Sequence, residues 1–333
     1  MRLRKKTEQA LHWILLAAGL LIFGLLIHRA GWNTILHLCK TAAIRYWGFG
    51  LGAYGFSMLL RGVKWYLLIR LVDPVRFSQF LPVYFFNALM GNITPFKSGE
   101  AAGPVLFKRF FGVEIGRGFS VIFIDRILEL LWMLICLILG FVYLTTHVAM
   151  TPALSSSILV AGGLTLILIG VLVVVLSVER LGYGMMSFLL RHFRQARIQQ
   201  ILQRIQEEFI HFYEFRKSAF RSGRLIVLNL LTGSAFFAQF LAVWFVVLSV
   251  VKVSFMASLT AQAIAIPISI VSFIPAGIGI AAFGYQSIMS LFEYPYDPIV
   301  GAALISKVLF LGLIFFCGWV SGLMLQKRIV TDL

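Results

Sequence analysis

Charged side chains are scarce in this chain, and acidic side chains are the scarcest. Of its 333 residues only 13% are charged, and 29 Lys and Arg residues outnumber 13 Asp and Glu residues. With 60% hydrophobic residues and a mean hydropathy of +0.93, this composition excludes an ordinary soluble globular protein. The apolar runs are continuous and close to the ~20 residues of a spanning helix, unlike the roughly ten alternating residues of a barrel strand. The sequence therefore predicts an all-α polytopic membrane protein.

Catalytic and metal-binding motifs are also missing. The chain has three cysteines, Cys39, Cys136 and Cys317, and their wide spacing forms neither a metal site nor a redox pair. The sequence contains no Walker glycine loop, no histidine-rich cluster and no Ser-His-Asp constellation. We therefore expect no catalytic residue, no cofactor and no metal, and we interpret the chain as a protein that is not an enzyme.

The net charge of +16 raises the question of nucleic-acid binding. However, the Lys and Arg residues lie mainly between apolar runs, and the enrichment of cytoplasmic loops in basic residues explains this placement more simply. We expect no nucleic-acid partner and a location in the cytoplasmic membrane.

Six apolar runs predict spanning helices, over about residues 11–27, 46–68, 119–145, 158–178, 225–250 and 299–325. The first run follows basic residues as a signal peptide does, but it lacks a small-residue cleavage site, so we interpret it as a retained helix. The flanking basic residues place both termini in the cytoplasm, together with a basic segment at 179–224. That segment is either an amphipathic helix along the inner membrane surface or a solvated helix.

Two further apolar stretches are interrupted in the same way. Pro95 and Gly99 precede Ala101-Ala102, and Pro275, Gly277 and Gly279 precede Ala281-Ala282. Because Pro removes a backbone donor and Gly adopts unusual dihedrals, each stretch is expected to turn back inside the membrane. The charged flanks make the first hairpin open to the cytoplasm and the second to the outside. Full crossing by each short helix, giving ten spans, is the alternative.

These assignments predict one integral membrane domain, residues 1–333, made of two inverted-topology repeats at about 8–147 and 153–328. Each repeat would contain three transmembrane helices and a broken re-entrant helical hairpin. Broken helices from inverted repeats meet near the membrane midplane in many transporters and form the substrate site there.

Charged side chains at membrane depth are costly, so each needs a partner, water or a ligand. Arg61 and Lys64 lie three residues apart on one helix face, and we expect them either to bind a lipid phosphate or to snorkel to the interface. Lys307, the only charge inside the last helix, is expected to bind an anionic head group or to pair with Asp125 or Glu129.

Polar residues concentrate at the first break, and further charges follow it. The break contains Asn92, Thr94, Lys97, Ser98 and Glu100. We favour substrate binding for this group, with helix capping by Glu100 as the alternative. In the next helix, Arg126 and Glu129 either contribute to substrate binding with Asp125 or form a structural i, i+3 ion pair. Such a pair leaves Asp125 available for Lys97, Arg61 or a substrate amine.

The chain reads Asn-Ile-Thr-Pro-Phe-Lys-Ser-Gly-Glu at 92–100, Asp-Arg at 125–126 and Pro-Ala-Gly-Ile-Gly at 275–279, with Arg-Gly-Val-Lys-Trp at 61–65. In this order the segments resemble the lysylphosphatidylglycerol synthase transmembrane region, or flippase-like domain family, over essentially the whole chain. The resemblance implies a domain that moves aminoacyl phospholipids or polyprenyl-linked glycans between leaflets. It also implies a divergent member, since Ala276 and Ala281-Ala282 replace a glycine and a glutamate of the family pattern, and Lys307 replaces an arginine.

We therefore predict a lipid flippase or scramblase-type transporter for an anionic or amphiphilic lipid. Arg61, Lys64, Lys97 and Lys307 would bind phosphate, whereas Glu100, Asp125 and Glu129 would bind an amine or couple to protons. No synthase domain is expected, because the chain ends at Leu333. The alternatives are an intramembrane lipid-modifying enzyme with Glu100 and Asp125 as acid and base, and an accessory protein for a cytoplasmic synthase or transferase. A second copy of the chain is a further expected partner.

Overall fold

The computed structural model describes residues 40–148, 223–271 and 280–331, with scattered single residues between 163 and 199. For residues 95–98, 268–271 and 329–331 it describes the backbone alone. The predicted helix at 11–27 and the second break at 275–279 lie outside the described residues, as do most of 158–178 and of the basic segment 179–224. Throughout the three described ranges, regular secondary structure is entirely helical, which agrees with the predicted class.

Eight α-helices and one 3₁₀ helix make up these three ranges. In chain order they are α1 Ile44–Ile69, α2 Phe77–Ile93, the 3₁₀ helix Pro95–Ala102, α3 Gly103–Phe111, α4 Ile115–His147, α5 Arg224–Leu248, α6 Phe255–Val271, α7 Ile280–Leu291 and α8 Tyr296–Thr331. Three of them are long and apolar enough to cross a membrane, over Ile115–His147, Arg224–Leu248 and Tyr296–Arg328. They coincide with three predicted spans, so the chain is a membrane protein with helices able to span the bilayer.

The first interrupted stretch leaves the α-helical path at the proline motif. α2 ends at Ile93, and Thr94 adopts an extended conformation with ψ of 147° before the eight-residue 3₁₀ helix. Pro95 cannot donate a hydrogen bond to the preceding turn, which accounts for the end of α2 at this point. α3 then has nine residues, roughly 14 Å at 1.5 Å per residue, which is far less than the hydrocarbon thickness.

The helices of the two halves interleave. α1 packs along α5, α2 packs on α8, and α4 packs on α6, while the short helices α3 and α7 pack on α4 and α8. The pair α1 and α5 runs antiparallel. Trp47 Nε1 donates to Ser249 Oγ (3.0 Å) near one end of the pair, and Ser57 Oγ donates to the Ala235 carbonyl (2.7 Å) further along.

The two halves have different cores. The core of α1 to α4 combines aliphatic side chains with an aromatic cluster, in which Trp65, Phe80 and Tyr84 are buried around Phe107. Ring centroids of Phe80 and Trp65 each lie 6.0 Å from that of Phe107. The core of α6 to α8 contains six buried alanines, which are Ala257, Ala261, Ala265, Ala282, Ala302 and Ala303. Small residues of this kind favour close approach of helices in a membrane protein.

Candidate functional site

Six ionisable side chains form one connected network beside the first break. α1 supplies Arg61 and Lys64, the 3₁₀ helix supplies Glu100, and α4 supplies Asp125, Arg126 and Glu129. Three cations therefore face three carboxylates. The side chains of Lys64 and Asp125 are 1% and 0% exposed, so the centre of the network is sealed from solvent.

Each carboxylate of the network has at least one cationic partner. Lys64 Nζ lies 2.5 Å from Asp125 Oδ1 and 3.7 Å from Glu129 Oε1. The other carboxylate oxygen of Glu129 lies 2.8 Å from Arg126 Nη1, and Oε1 also pairs with Arg61. Arg126 Nη2 lies 3.0 Å from Asp125 Oδ2. A charge at the centre of a spanning helix costs roughly 2.5–3.5 kcal/mol on insertion scales, and mutual pairing offsets that cost here.

Glu100 is brought to the network by the backbone of the break. The Thr94 hydroxyl donates to the Met90 carbonyl (3.0 Å) and accepts the Gly99 N–H (2.6 Å), which folds the 3₁₀ turn against the end of α2. The Glu100 side chain then crosses Gly91, where an added Cβ would stand 2.5 Å from Glu100 Cγ. From there Glu100 Oε2 lies 2.7 Å from Arg126 Nη2. The break thus tethers its 3₁₀ helix to α4 through an ion pair.

A cavity of about 110 Å³, lined by both apolar and polar side chains, lies between the two halves of the described chain. Helices α1, α2, α5, α6, α7 and α8 all contribute to its wall. Its polar lining residues are Tyr54, Asn92, Gln239, Gln262, Tyr285, Ser306 and Lys307. A water needs roughly 10–15 Å³ of such space, so the cavity has room for several waters or for a small polar group.

Gln239 connects the cavity to the ionic network. It lines the cavity, and its Oε1 accepts a hydrogen bond from Arg61 Nη2 at 2.9 Å. The same guanidinium lies over the Phe236 ring, with Cζ 5.1 Å from the ring centroid, which is a cation–π geometry. Gln239 therefore joins Arg61 of the network to the cavity wall.

The structure places most of the predicted site residues in one of these two features. Arg61, Lys64, Glu100, Asp125, Arg126 and Glu129 form the network, whereas Asn92 and Lys307 line the cavity. Thr94 forms the end of α2, and the side chains of Lys97 and Ser98 are outside what the structure describes. The i, i+3 ion pair between Arg126 and Glu129, which their spacing predicted, is present. The prediction that this pair would leave Asp125 unmatched is wrong, because Lys64 and Arg126 both bind it.

Neutral polar residues are the part of the site that charge-based sequence analysis missed. Gln239 bridges to Arg61, and Gln262 Nε2 donates to the Phe240 carbonyl (3.1 Å). The hydroxyl of Tyr285 lies 2.9 Å from that of Ser258. Glutamine within an apolar membrane helix is itself unusual, since its amide needs hydrogen-bond partners there. A search for all polar residues at membrane depth, and not only charged ones, would have found them.

A helical membrane protein with a buried charge network beside a cavity is the class that this fold and site define. The family model described as the lysylphosphatidylglycerol synthase TM region matches residues 12–318. The chain belongs to this family. It is also 25% identical to a UPF0104 membrane protein from Pyrococcus horikoshii over 283 residues, which cover 80% of this chain and 83% of the relative.

Proposed function

We propose that this protein is a lipid flippase or scramblase-type transporter of the cytoplasmic membrane. It would move an anionic or amphiphilic lipid, an aminoacyl phospholipid or a polyprenyl-linked lipid, between the leaflets without chemical change. Its termini would lie in the cytoplasm, as the placement of basic residues indicates. The observation that carries this proposal is the neutral six-residue charge network at a helix break, joined by Gln239 to a cavity.

An inverted repeat is part of the proposal, and helix positions support it. The motif prolines Pro95 and Pro275 are 180 residues apart. Shifted by this distance, the bounds of α1 fall on 224–249, and α5 is Arg224–Leu248. Likewise, those of α4 fall on 295–327, and α8 is Tyr296–Thr331.

Helix packing supports the same repeat. In the proposed repeat, α2, α3 and α4 are equivalent to α6, α7 and α8. The contact between α2 and α8 then has its counterpart in the contact between α6 and α4, and both occur. The contact between α3 and α4 has its counterpart in the contact between α7 and α8, and both of these occur as well. α1 and its counterpart α5 contact each other in antiparallel orientation. An axis along the membrane normal would make equivalent helices parallel, whereas an axis in the membrane plane makes them antiparallel, as observed here.

The length of the helix after the first break supports a re-entrant hairpin there. α3 has nine residues, which is short of the ~17 residues at the lower limit for a span. Hairpins that enter from opposite membrane faces would each present a helix break at mid-depth. In the proposed transport cycle the cavity opens to one side at a time, and the head group passes while the acyl chains stay in lipid.

Charge-neutral variants of the network test this proposal. Arg61→Gln and Glu100→Gln each break one ion pair that ties α1 or the 3₁₀ helix to α4. We expect both variants to reduce translocation of fluorescent phosphatidylglycerol in proteoliposomes to the rate of protein-free vesicles. Dithionite quenching of the outer-leaflet label measures that rate.

The matched controls change the same residue types outside the network. Arg70→Gln alters an exposed arginine just after α1, and Glu114→Gln alters a carboxylate that is 76% exposed and pairs with Arg117. Both controls should translocate lipid like the wild type. Wild-type rates in Arg61→Gln and Glu100→Gln, with both proteins monodisperse, would refute the proposed site.

A further inference from the structure

Three amide side chains line the cavity, and the partner of each amide fixes the way it is turned. The Gln262 amide N–H donates to the Phe240 carbonyl at 3.1 Å, and the Asn92 amide N–H donates to a backbone carbonyl of α2 at 2.8 Å. Gln239 is turned the opposite way, because its Oε1 accepts from the Arg61 guanidinium, which is a donor only. A carbonyl partner requires the N–H end of an amide and a guanidinium requires the oxygen end, so all three orientations are defined.

The opposite ends of these amides have no hydrogen-bond partner in the described part of the chain. They are the Oε1 atom of Gln262, the Oδ1 atom of Asn92 and the amide N–H groups of Gln239. The Tyr54 hydroxyl, which belongs to another lining residue, has none there either. Gln262 is only 5% exposed, so the cavity is the place where its oxygen is satisfied. Lys307 also lines the cavity, but it already has a partner within the chain.

The unpaired groups are of mixed type, namely two amide oxygens, one amide nitrogen with its N–H groups and one phenolic hydroxyl. An ionised phosphate offers acceptors only, so it would leave the two amide oxygens without a donor. An ammonium offers donors only, so it would leave the amide N–H groups without an acceptor. A hydroxyl group both donates and accepts, and adjacent hydroxyls therefore satisfy both kinds of group together.

The size of the cavity limits how many hydroxyls it takes. Its volume of about 110 Å³ is far below the roughly 300–1,000 Å³ of sites that enclose drug-sized ligands. One glycerol or one sugar unit is the scale that fits, whereas an oligosaccharide is too large. We propose that the cavity binds the adjacent hydroxyl groups of a lipid head group, which is a glycerol or a single sugar unit. This inference rests on the proposed transport function, because a transported head group has to enter the cavity.

Two lipids that differ only in their hydroxyls test the assignment. The purified full chain in phosphatidylcholine nanodiscs would be offered phosphatidylglycerol or phosphatidylpropanol at equal loading, and native mass spectrometry would compare the bound lipids. Phosphatidylpropanol has the same phosphate and a three-carbon head group, but it lacks both hydroxyls. We expect a roughly ten- to hundredfold preference for phosphatidylglycerol, the range for two hydrogen bonds. Equal binding of the two lipids would mean that the unpaired groups bind water only, and it would overturn the proposal.

A competing glycolipid distinguishes the two sources of hydroxyls. Glucosyl-diacylglycerol should displace phosphatidylglycerol if the cavity takes a sugar unit, and it should fail to do so if the cavity takes glycerol. Either result supports a hydroxyl site, provided that phosphatidylpropanol binds weakly.

Substitutions in the cavity wall locate the binding site. Tyr54→Phe removes the hydroxyl and keeps the ring stacked on Phe310, with centroids 4.2 Å apart, and Gln262→Leu removes the amide oxygen. Each should reduce the preference roughly three- to tenfold, the share of one hydrogen bond. Tyr66→Phe in α1 and Gln79→Leu at an exposed position of α2 lie outside the cavity wall and should leave the preference intact. Tyr54→Phe keeps the test valid if Gln262→Leu, which also loses a backbone contact, does not fold. Wild-type preference in a folded Tyr54→Phe and a folded Gln262→Leu would overturn the proposal.

Translocation assays on the same samples separate this inference from the proposed function. Equal binding and equal translocation of phosphatidylglycerol and phosphatidylpropanol would leave the transport proposal standing and refute the hydroxyl site. Selective binding of phosphatidylglycerol without its translocation would support the hydroxyl site and refute the transport proposal.

Discussion

The two halves of this protein differ most in charge at positions that the proposed repeat makes equivalent. The charges of the network are Arg61, Lys64, Glu100, Asp125, Arg126 and Glu129, and the residues 180 positions later are Leu241, Trp244, Ile280, Ile305, Ser306 and Leu309. None of these counterparts is charged. The first half therefore fixes its break with ion pairs, whereas the second half has no matching network at these positions.

The cores of the two halves also differ in the size of their side chains. The first half contains an aromatic cluster, with the ring centroids of Trp65 and Tyr84 5.8 Å apart, whereas the core of the second half contains six buried alanines. Four cavity-lining residues are alanines, namely Ala265, Ala281, Ala282 and Ala303. The first half is thus a charge-locked frame, in which ion pairs tie α1 and the 3₁₀ helix to α4, whereas the second half supplies most of the cavity wall.

The largest expected effect comes from breaking the sealed ion pair in the charged half. Asp125→Asn leaves the Lys64 ammonium, which is 1% exposed, without its closest carboxylate. Removing one partner of a buried pair costs about 3–5 kcal/mol, so we expect the free energy of unfolding to fall by about that amount. Chemical unfolding in detergent micelles, followed by tryptophan fluorescence, measures the change.

A double variant distinguishes the pair from its individual members. Lys64→Met with Asp125→Leu replaces both charges by apolar side chains, and it should recover most of the lost stability. Glu114→Gln removes an exposed carboxylate and should change stability by less than about 0.5 kcal/mol. If the double variant were less stable than Asp125→Asn, the charge-locked frame would be the wrong description of this half.

The sequence predicted the members of this network better than their pairing. Periodicity placed Arg61 and Lys64 on one helix face, and the proline motif predicted a break before Glu100. The pairing of Lys64 with Asp125 joins side chains of α1 and α4 that no local spacing relates, so only the tertiary arrangement reveals it. The predicted bounds of α1, α4 and α5 agree with the structure within a few residues, because long apolar runs have a strong signal.

The cavity was less accessible to sequence reasoning. Lys307 was recognised by its charge, but its neighbours Tyr54, Gln262 and Tyr285 belong to three other helices. Their convergence depends on how α1, α6, α7 and α8 cross, which neither hydropathy nor motif spacing determines. The second break, at 275–279, lies outside the described residues, so its predicted conformation stays a prediction.

An intermediate effect is expected at the glycine beneath Glu100. Gly91→Ala would place a Cβ 2.5 Å from Glu100 Cγ and push the carboxylate away from Arg126. We expect a loss of about 1–3 kcal/mol, the usual cost of overpacking, with reduced lipid translocation. The residues 180 positions after Gly91 and Glu100 are Val271 and Ile280. The second half therefore lacks both the carboxylate and the glycine that makes room for it at these positions.

A second glycine provides the control for this variant. An added Cβ at Gly312 has no heavy atom within 4 Å, so Gly312→Ala should be tolerated in α8. Unfolding curves and translocation rates of the two variants should differ clearly. Equal stability of Gly91→Ala and Gly312→Ala would mean that the contact between Glu100 and Gly91 does not position the carboxylate.

The smallest effect on stability, with a large effect on transport, is expected in the alanine-rich half. Ala281→Leu fills part of the cavity without changing charge or breaking any ion pair of the network. Because empty space receives the added atoms, we expect stability to change by less than about 1.5 kcal/mol while translocation of phosphatidylglycerol is lost. Ser290→Leu, at an exposed position of α7, should affect neither quantity. Normal transport by Ala281→Leu would assign the lipid path elsewhere, and a collapse in its stability would show that the second half is as tightly fixed as the first.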